Sequence, residues 1–204
     1  MRHMRTAATA TLLILAPLGV FALAEQPDTP RLELGPQVTQ IYLPVNPVGS
    51  VQYQPGFGAV ASVKLSRIFG VDSGFSITPT IPLTGTSFAG GRLTQGLIGA
   101  RVGFAFRHLE IYGKIRPGFA SFGDAILHAV STPNLQFQVG RLTEPALDVG
   151  AIVVLRISHR LGVRYEIGDT MIHYQSRTID ASQPPVAGRL VNNLQLGGAL
   201  VFGF

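Results

Sequence analysis

Cysteine and tryptophan are absent from the 204 residues, and charge is scarce. Without cysteine there is no disulfide, no thiol nucleophile, no thiolate metal site and no N-terminal lipidated cysteine. Asp, Glu, Lys and Arg make up 13% of the chain, about half of the roughly 25% usual for a soluble domain, and the mean hydropathy is +0.32. Something apolar must surround such a chain. Long apolar runs are missing too: beyond the first 24 residues none approaches the roughly 18 uncharged apolar residues that a membrane-spanning helix needs. That excludes a helical membrane protein and leaves a barrel, whose alternating strands dilute the hydropathy signal.

Acidic residues are the scarcer sign, at 11 against 16 Lys and Arg. Arg2 and Arg5 stand in an N-terminal segment, and without them 14 basic residues face the 11 acidic ones. The excess is unclustered, with no basic and aromatic stripe, so no nucleic-acid partner is expected. The five histidines lack metal-ligand spacing. Gly90-Gly91 and Gly197-Gly198 lack the strand-to-helix setting of a phosphate loop. Neither cofactor nor metal is expected.

The first 24 residues carry Arg2 and Arg5, then an uncharged stretch from Thr6 to Ala24 broken by Pro17 and Gly19, then Ala22-Leu23-Ala24 before Glu25. These are the basic head, apolar middle and small-residue cleavage site of a secretory signal peptide. The reading is therefore a cleavable signal peptide over 1–24, a short polar leader over 25–30 and one domain over 31–204.

Within that domain apolar residues recur with a period of two, which puts them on one face of successive strands. Leu32, Leu34, Val38 and Tyr42 open the series, with Pro36 expected to mark a bulge or an imperfectly paired position. Phe57 to Leu65, Phe75 to Leu83, Ile98 to Phe106, Leu109 to Phe119, Leu147 to Ile157 and Val163 to Ile167 continue it on odd or even positions throughout. Tight turns are expected near 68–73, 107–108 and 158–160, and long loops over 43–55, 85–92, 120–144 and 170–190. Eight strands with short connections at one end and long ones at the other make an all-β, eight-stranded antiparallel up-and-down transmembrane barrel. Glu33, Lys64, Arg101, Glu110, Lys114, Arg116, Asp148, Arg156, Arg164 and Glu166 all fall on the face opposite the oily one, while Arg67 and Asp169 are placed at strand ends. A soluble barrel would reverse this arrangement.

The closing run, Gln195-x-Gly197-x-x-Leu200-x-Phe202 with Phe204 at the end, resembles the C-terminal assembly signal of bacterial outer-membrane β-barrels. From residue 25 onward the pattern is similar to the small eight-stranded members of that group, the transmembrane domain of outer-membrane protein A and its shorter relatives. The resemblance implies residence in the bacterial outer membrane, contact with its lipid, recognition of the closing strand by the outer-membrane insertion machinery, and a monomer. No peptidoglycan-binding domain follows Phe204, so cell-wall tethering is not expected. With no tryptophan, an interfacial girdle must rest on Phe57, Phe75, Phe104, Phe106, Phe119, Phe202, Phe204, Tyr42 and Tyr165.

For function the sequence offers three readings. An eight-stranded barrel is just wide enough to be filled by side chains, so the ten inward charges are expected to pair in a closed core, with the long loops serving envelope integrity or surface interaction. The alternative is a narrow porin-like path for small solutes or ions. The third is a lipid-modifying enzyme, but Ser158 and His159 are adjacent, His173 and Ser176 are three apart, and no serine stands beside His108 and Glu110. In an extended chain these spacings separate nucleophile from base, so catalytic residues are not expected.

Overall fold

The computed structural model of the chain describes residues 31–44, 51–81, 89–106, 108–131, 135–178 and 185–204. The expected signal peptide over 1–24 and the expected leader over 25–30 lie outside the described residues. Eight strands form: β1 (Leu32–Pro44), β2 (Val51–Lys64), β3 (Phe69–Ile81), β4 (Ala89–Ala105), β5 (Leu109–Ser131), β6 (Leu135–Arg156), β7 (Leu161–Tyr174) and β8 (Arg189–Gly203). Each pairs antiparallel with the next, and β8 returns to β1 so that the sheet closes. At the seam Leu34 faces Phe202 and Gln37 faces Ala199. Phe204 N–H donates to Leu32 C=O at 2.8 Å, and Arg31 N–H donates to Phe204 C=O at 3.1 Å.

The barrel is inside out relative to a soluble one. Val38 is 66% exposed and Ile98 60%, and Phe57, Ile115, Ile167 and Leu200 share this outer surface. Glu33, Arg101 and Glu110 are at most 1% exposed, on the inner one. An outer face so apolar is stable only against lipid, and in lipid only a closed sheet leaves no backbone group unpaired. This is the architecture of an outer-membrane-type barrel. Exposed Phe57, Phe75, Phe106, Phe119, Phe202, Phe204 and Tyr165 stand on the outer surface together with Tyr53 and Phe69. Tyr42 packs edge-on against Tyr53, with ring centroids 4.8 Å apart.

Several expected boundaries move. The 43–55 loop is shorter than expected, because β1 and β2 stay paired through Leu43↔Gln52 and Pro44↔Val51. The 120–144 stretch is not a loop but a hairpin, with β5 running to Ser131 and β6 starting at Leu135. The period of two fails there because the register shifts between Phe122 and Ala125 and again between Ile126 and His128, and each bulge moves side chains to the other face. A bulge between Gly90 and Leu93 likewise hides the start of β4 within the supposed 85–92 loop. The 170–190 loop narrows to the connection between Tyr174 and Arg189, bridged at Arg177↔Val186.

Three smaller points concern single residues. Pro36 marks an imperfectly paired position, one of the two outcomes expected, and not a bulge: it faces outward with the same register on either side of it, and its local pairing with β8 lapses. The first tight turn is Leu65–Ile68 rather than 68–73, so Asp72 lies within β3. Asp169 is not at a strand end; it lies inside β7 facing outward, where its Oδ1 accepts the Asn193 N–H at 2.9 Å.

The register of β6 makes a direct prediction. Val153 pairs with Ile111 and Tyr165 on the outer face, so Val153→Arg should destabilise the lipid-refolded barrel by about 2–4 kcal/mol, measured by denaturant unfolding in vesicles. Stability equal to the parent would mean that this face does not meet mid-bilayer.

Candidate functional site

The chemistry-bearing residues converge on the barrel interior because inward positions of neighbouring strands sit side by side. Ser62 and Asp72 are cross-strand partners, as are Arg116 and Asp148. Arg164 and Glu166 are two apart on β7 and so share a face. Arg101 and Lys114 are also cross-strand partners, although like charges directly opposite repel. The interior resolves the conflict by sending the two cations to different carboxylates.

Near the turns, Arg101 Nη1 donates to Glu33 Oε2 at 3.0 Å and its guanidinium lies 4.5 Å from the Tyr112 ring centroid. Arg156 Nη2 donates to Glu33 Oε1, and its Nε donates to Glu110 Oε1 at 2.7 Å. Glu110 Oε2 accepts the Tyr112 hydroxyl at 2.8 Å and lies 3.2 Å from Lys64 Nζ. Deeper in, Asp72 accepts Arg116 Nη1, Arg164 Nη1 and Arg164 Nη2, each at 2.8 Å, and the Ser62 hydroxyl at 2.9 Å. Glu166 meets Lys114 at 2.7 Å, Arg116 at 2.8 Å and Arg164 at 2.6 Å. Asp148 binds Arg116 at 2.6 Å and Lys114 at 2.9 Å.

All ten charged residues singled out in the sequence lie in this interior, and Asp72, which the sequence reading left in a turn, belongs to its centre. The signal for it was present, since Phe69, Val71, Ser73 and Phe75 alternate with Gly70, Asp72, Gly74 and Ser76. Glycine makes room for the pairing: a Cβ on Gly168 would stand 2.6 Å from Asp148 Oδ1 and 3.3 Å from Lys114 Cε.

Toward the loop end the interior changes character. A neutral layer comes first, with the Ser76 hydroxyl donating to Gln95 at 3.1 Å and the Thr170 hydroxyl donating to Gln195 at 2.8 Å. Beyond it Ile41, Leu43, Leu93, Leu97, Ala120, Phe122, Ala125, Ala146, Ile172 and Tyr174 form an apolar plug. The Phe122 and Tyr174 rings sit 5.8 Å apart across it. This plug was not read from the sequence, because its residues are oily on the face where polar side chains were expected.

The candidate catalytic pairs are not assembled. The Ser158 hydroxyl accepts the Leu161 N–H at 3.2 Å and fixes a turn. His173 is exposed on β7, with Ser176 past that strand's end. Of the closing-strand residues, Leu200, Phe202 and Phe204 face outward, while Gln195 is buried inside with Thr170. Gly197 is inward: a Cβ there would stand 3.0 Å from Gln37 Nε2 and 3.4 Å from Glu166 Cβ.

No protein-family model and no curated protein sequence matches the chain. Among solved structures it is similar to Neisserial surface protein A, at 14% identity and TM-score 0.50 over 85% of this chain and 97% of that one. It is also similar to Ail, the attachment invasion locus protein of Yersinia pestis, solved with the heparin analogue sucrose octasulfate, at 13% identity and TM-score 0.46 over 84% and 96%. The N-terminal β-barrel domain of Pseudomonas aeruginosa OprF follows at 11% and 0.42 over 84% and 97%. At such identities the likeness is one of fold.

Breaking a buried ion pair from one side costs far more than the pair contributes net, since it strands the other charge. Glu166 meets three cations, so Glu166→Gln should destabilise the refolded barrel by about 3–5 kcal/mol, and Asp72→Asn should do the same. Denaturant midpoints in detergent or vesicles read both. Unchanged stability together with altered ion selectivity would instead mean a hydrated path.

Proposed function

We propose that this chain is an integral, non-enzymatic protein of the bacterial outer membrane that acts as a monomer, whose barrel is shut and whose loop-end hairpins serve envelope integrity or surface interaction. The observation that carries the reading is the sequence of layers inside: paired charges near the turns, amides and hydroxyls above them, and the apolar plug of Ile41, Leu93, Phe122 and Ile172 at the loop end. An ion crossing such a plug would have to shed its water without compensation. The oily outer belt supports lipid as the surrounding medium, and short turns opposite extended hairpins support an orientation with the turns toward the periplasm. β5 and β6, at 23 and 22 residues, far exceed the roughly 9–11 that cross a bilayer. Their ribbon therefore stands clear of the membrane.

A narrow channel is the second reading, supported by one observation. In the paired cluster six cations face five carboxylates, the sixth buried carboxylate, Glu144, lying apart at the loop end, and Arg101 Nε, Arg101 Nη2 and Arg156 Nη1 are buried without hydrogen-bond partners there. Planar-bilayer recording of the refolded chain separates the two. The closed barrel gives no unitary steps, whereas reproducible anion-selective steps would establish the channel.

Outer-membrane residence has its own test in the closing strand. Phe204 is 72% exposed on the outer surface, so deleting it should cost at most the roughly 1.5–3 kcal/mol that burying such a side chain contributes. If Gln195, Gly197, Leu200, Phe202 and Phe204 form the signal read by the insertion machinery, the deletion should deplete the heat-modifiable protein in outer-membrane fractions far more than it lowers stability after refolding in detergent. Accumulation of the variant in a soluble compartment, folded and undiminished, would overturn the assignment.

A further inference from the structure

Among the described residues the exposed side chains at the turn end of the barrel carry one sign of charge, although a terminal oxygen of Phe204 accepts the Arg31 and Leu32 N–H groups there and Asp28 precedes Arg31 in sequence. Arg67 lies in the turn Leu65–Ile68, His108 in the turn before β5, and His159 and Arg160 in the turn before β7, with Arg31 at the start of β1; all are exposed. Residues 65–68, 106–108 and 157–160 contain no Asp or Glu, and Arg107 adds a further basic residue in sequence. Among the described residues Glu33 and Glu110 lie buried behind this rim and are tied to Arg101, Arg156 and Lys64. That inner layer holds three cations to two carboxylates, so it adds to the positive field of the rim rather than cancelling it.

The same end is unusually oily for a set of turns. Leu65 is 61% exposed, Ile157 64% and Phe204 72%, and Ile68, Phe69 and Phe106 are exposed beside them. These side chains are held in place, because the Ser66 hydroxyl accepts the Phe69 N–H at 3.1 Å and the Ser158 hydroxyl accepts the Leu161 N–H. A soluble acidic protein or a free anion would match the arginines and leave the apolar collar in water. A lipid headgroup layer satisfies both, with phosphates at the level of the arginines and acyl chains at the level of the collar.

We infer that the turn end is a seat for anionic phospholipid, with Arg31, Arg67 and Arg160 binding headgroup phosphates and Leu65, Ile68, Phe69, Phe106, Ile157 and Phe204 anchoring at the acyl boundary. The inference rests on the reading of the chain as a lipid-embedded barrel. It adds a selectivity among lipids, which a neutral interface would lack.

The test uses the full chain refolded into nanodiscs of phosphatidylcholine and phosphatidylglycerol, with electron spin resonance of spin-labelled lipids giving the relative association constant of the two. Phosphatidylglycerol should be preferred, and the preference should fall as salt is raised. Arg31→Gln, Arg67→Gln and Arg160→Gln together should remove it, by up to about five-fold per arginine, while Lys at the same positions should keep it. Arg92→Gln with Arg141→Gln, exposed at the other end, should leave it unchanged. Heat-modifiable mobility establishes that each variant has folded; should the triple variant not fold, the three single variants read the same loss one at a time. An undiminished preference in the folded Gln variants, or none in the parent, overturns the seat. Loss of the preference to inorganic phosphate at matched ionic strength also overturns it, because the arginines would then form an ion site without a lipid. None of these outcomes bears on conductance, so failure of the seat and failure of the closed-barrel reading are told apart.

Discussion

Every backbone N–H and C=O placed in hydrocarbon must find its partner within the protein, and that single requirement sets the rest of this structure. It forces β8 back onto β1 at Leu34↔Phe202, because an open sheet would present two unpaired edges to lipid. Once the sheet is closed, alternate residues have only two destinations. The outer ones meet acyl chains, which explains why the charges of the belt-crossing segments gather inside, with Asp169 an outward exception whose partner is a backbone N–H.

The inner destination is a confined space without bulk water, and its contents follow from that. Six cations cannot be enclosed there unless carboxylates reach them, and Asp72, Glu166 and Asp148 each serve two or three cations. Sharing of this kind limits the number of ions that must lose their hydration. It also explains the repulsive Arg101↔Lys114 pairing, since one partner reaches toward Glu33 and the other toward Glu166. At the loop end no carboxylate cluster is needed, because the plug holds no cation and buried Glu144 beside it accepts the Gln175 N–H.

Much of this was legible in the sequence, and the parts that were not share a physical cause. Alternation locates a strand only while its period holds, so the belt-crossing segments and their inward charges could be read from residues such as Glu110, Lys114 and Arg116 against Ile111 and Ile115. Where bulges reset the phase, at Phe122–Ala125 and Gly90–Leu93, the strands read as loops. Asp72 was obscured because glycine and aspartate suggest a turn by composition even when their parity says strand. The plug was obscured for the opposite reason: Ile41, Leu93 and Ile172 have strand parity, but their chemistry is that of the lipid face. Composition and phase were each sufficient only where they agreed.

The pairing of Arg116 with Asp148 has a consequence for how the barrel finds its alignment. An oily outer face fixes a strand's register only modulo two, because a slip of two residues returns every apolar side chain to lipid. Sliding β6 by two against β5 would leave Val149 and Val153 facing outward but set Arg116 opposite Gly150 and Lys114 opposite Ile152, in place of Asp148 and Gly150. The enclosed cations would then lose their counter-ions. The interior ions thus act as a vernier on the coarser scale of hydrophobicity, rejecting the even-numbered misalignments that lipid cannot detect.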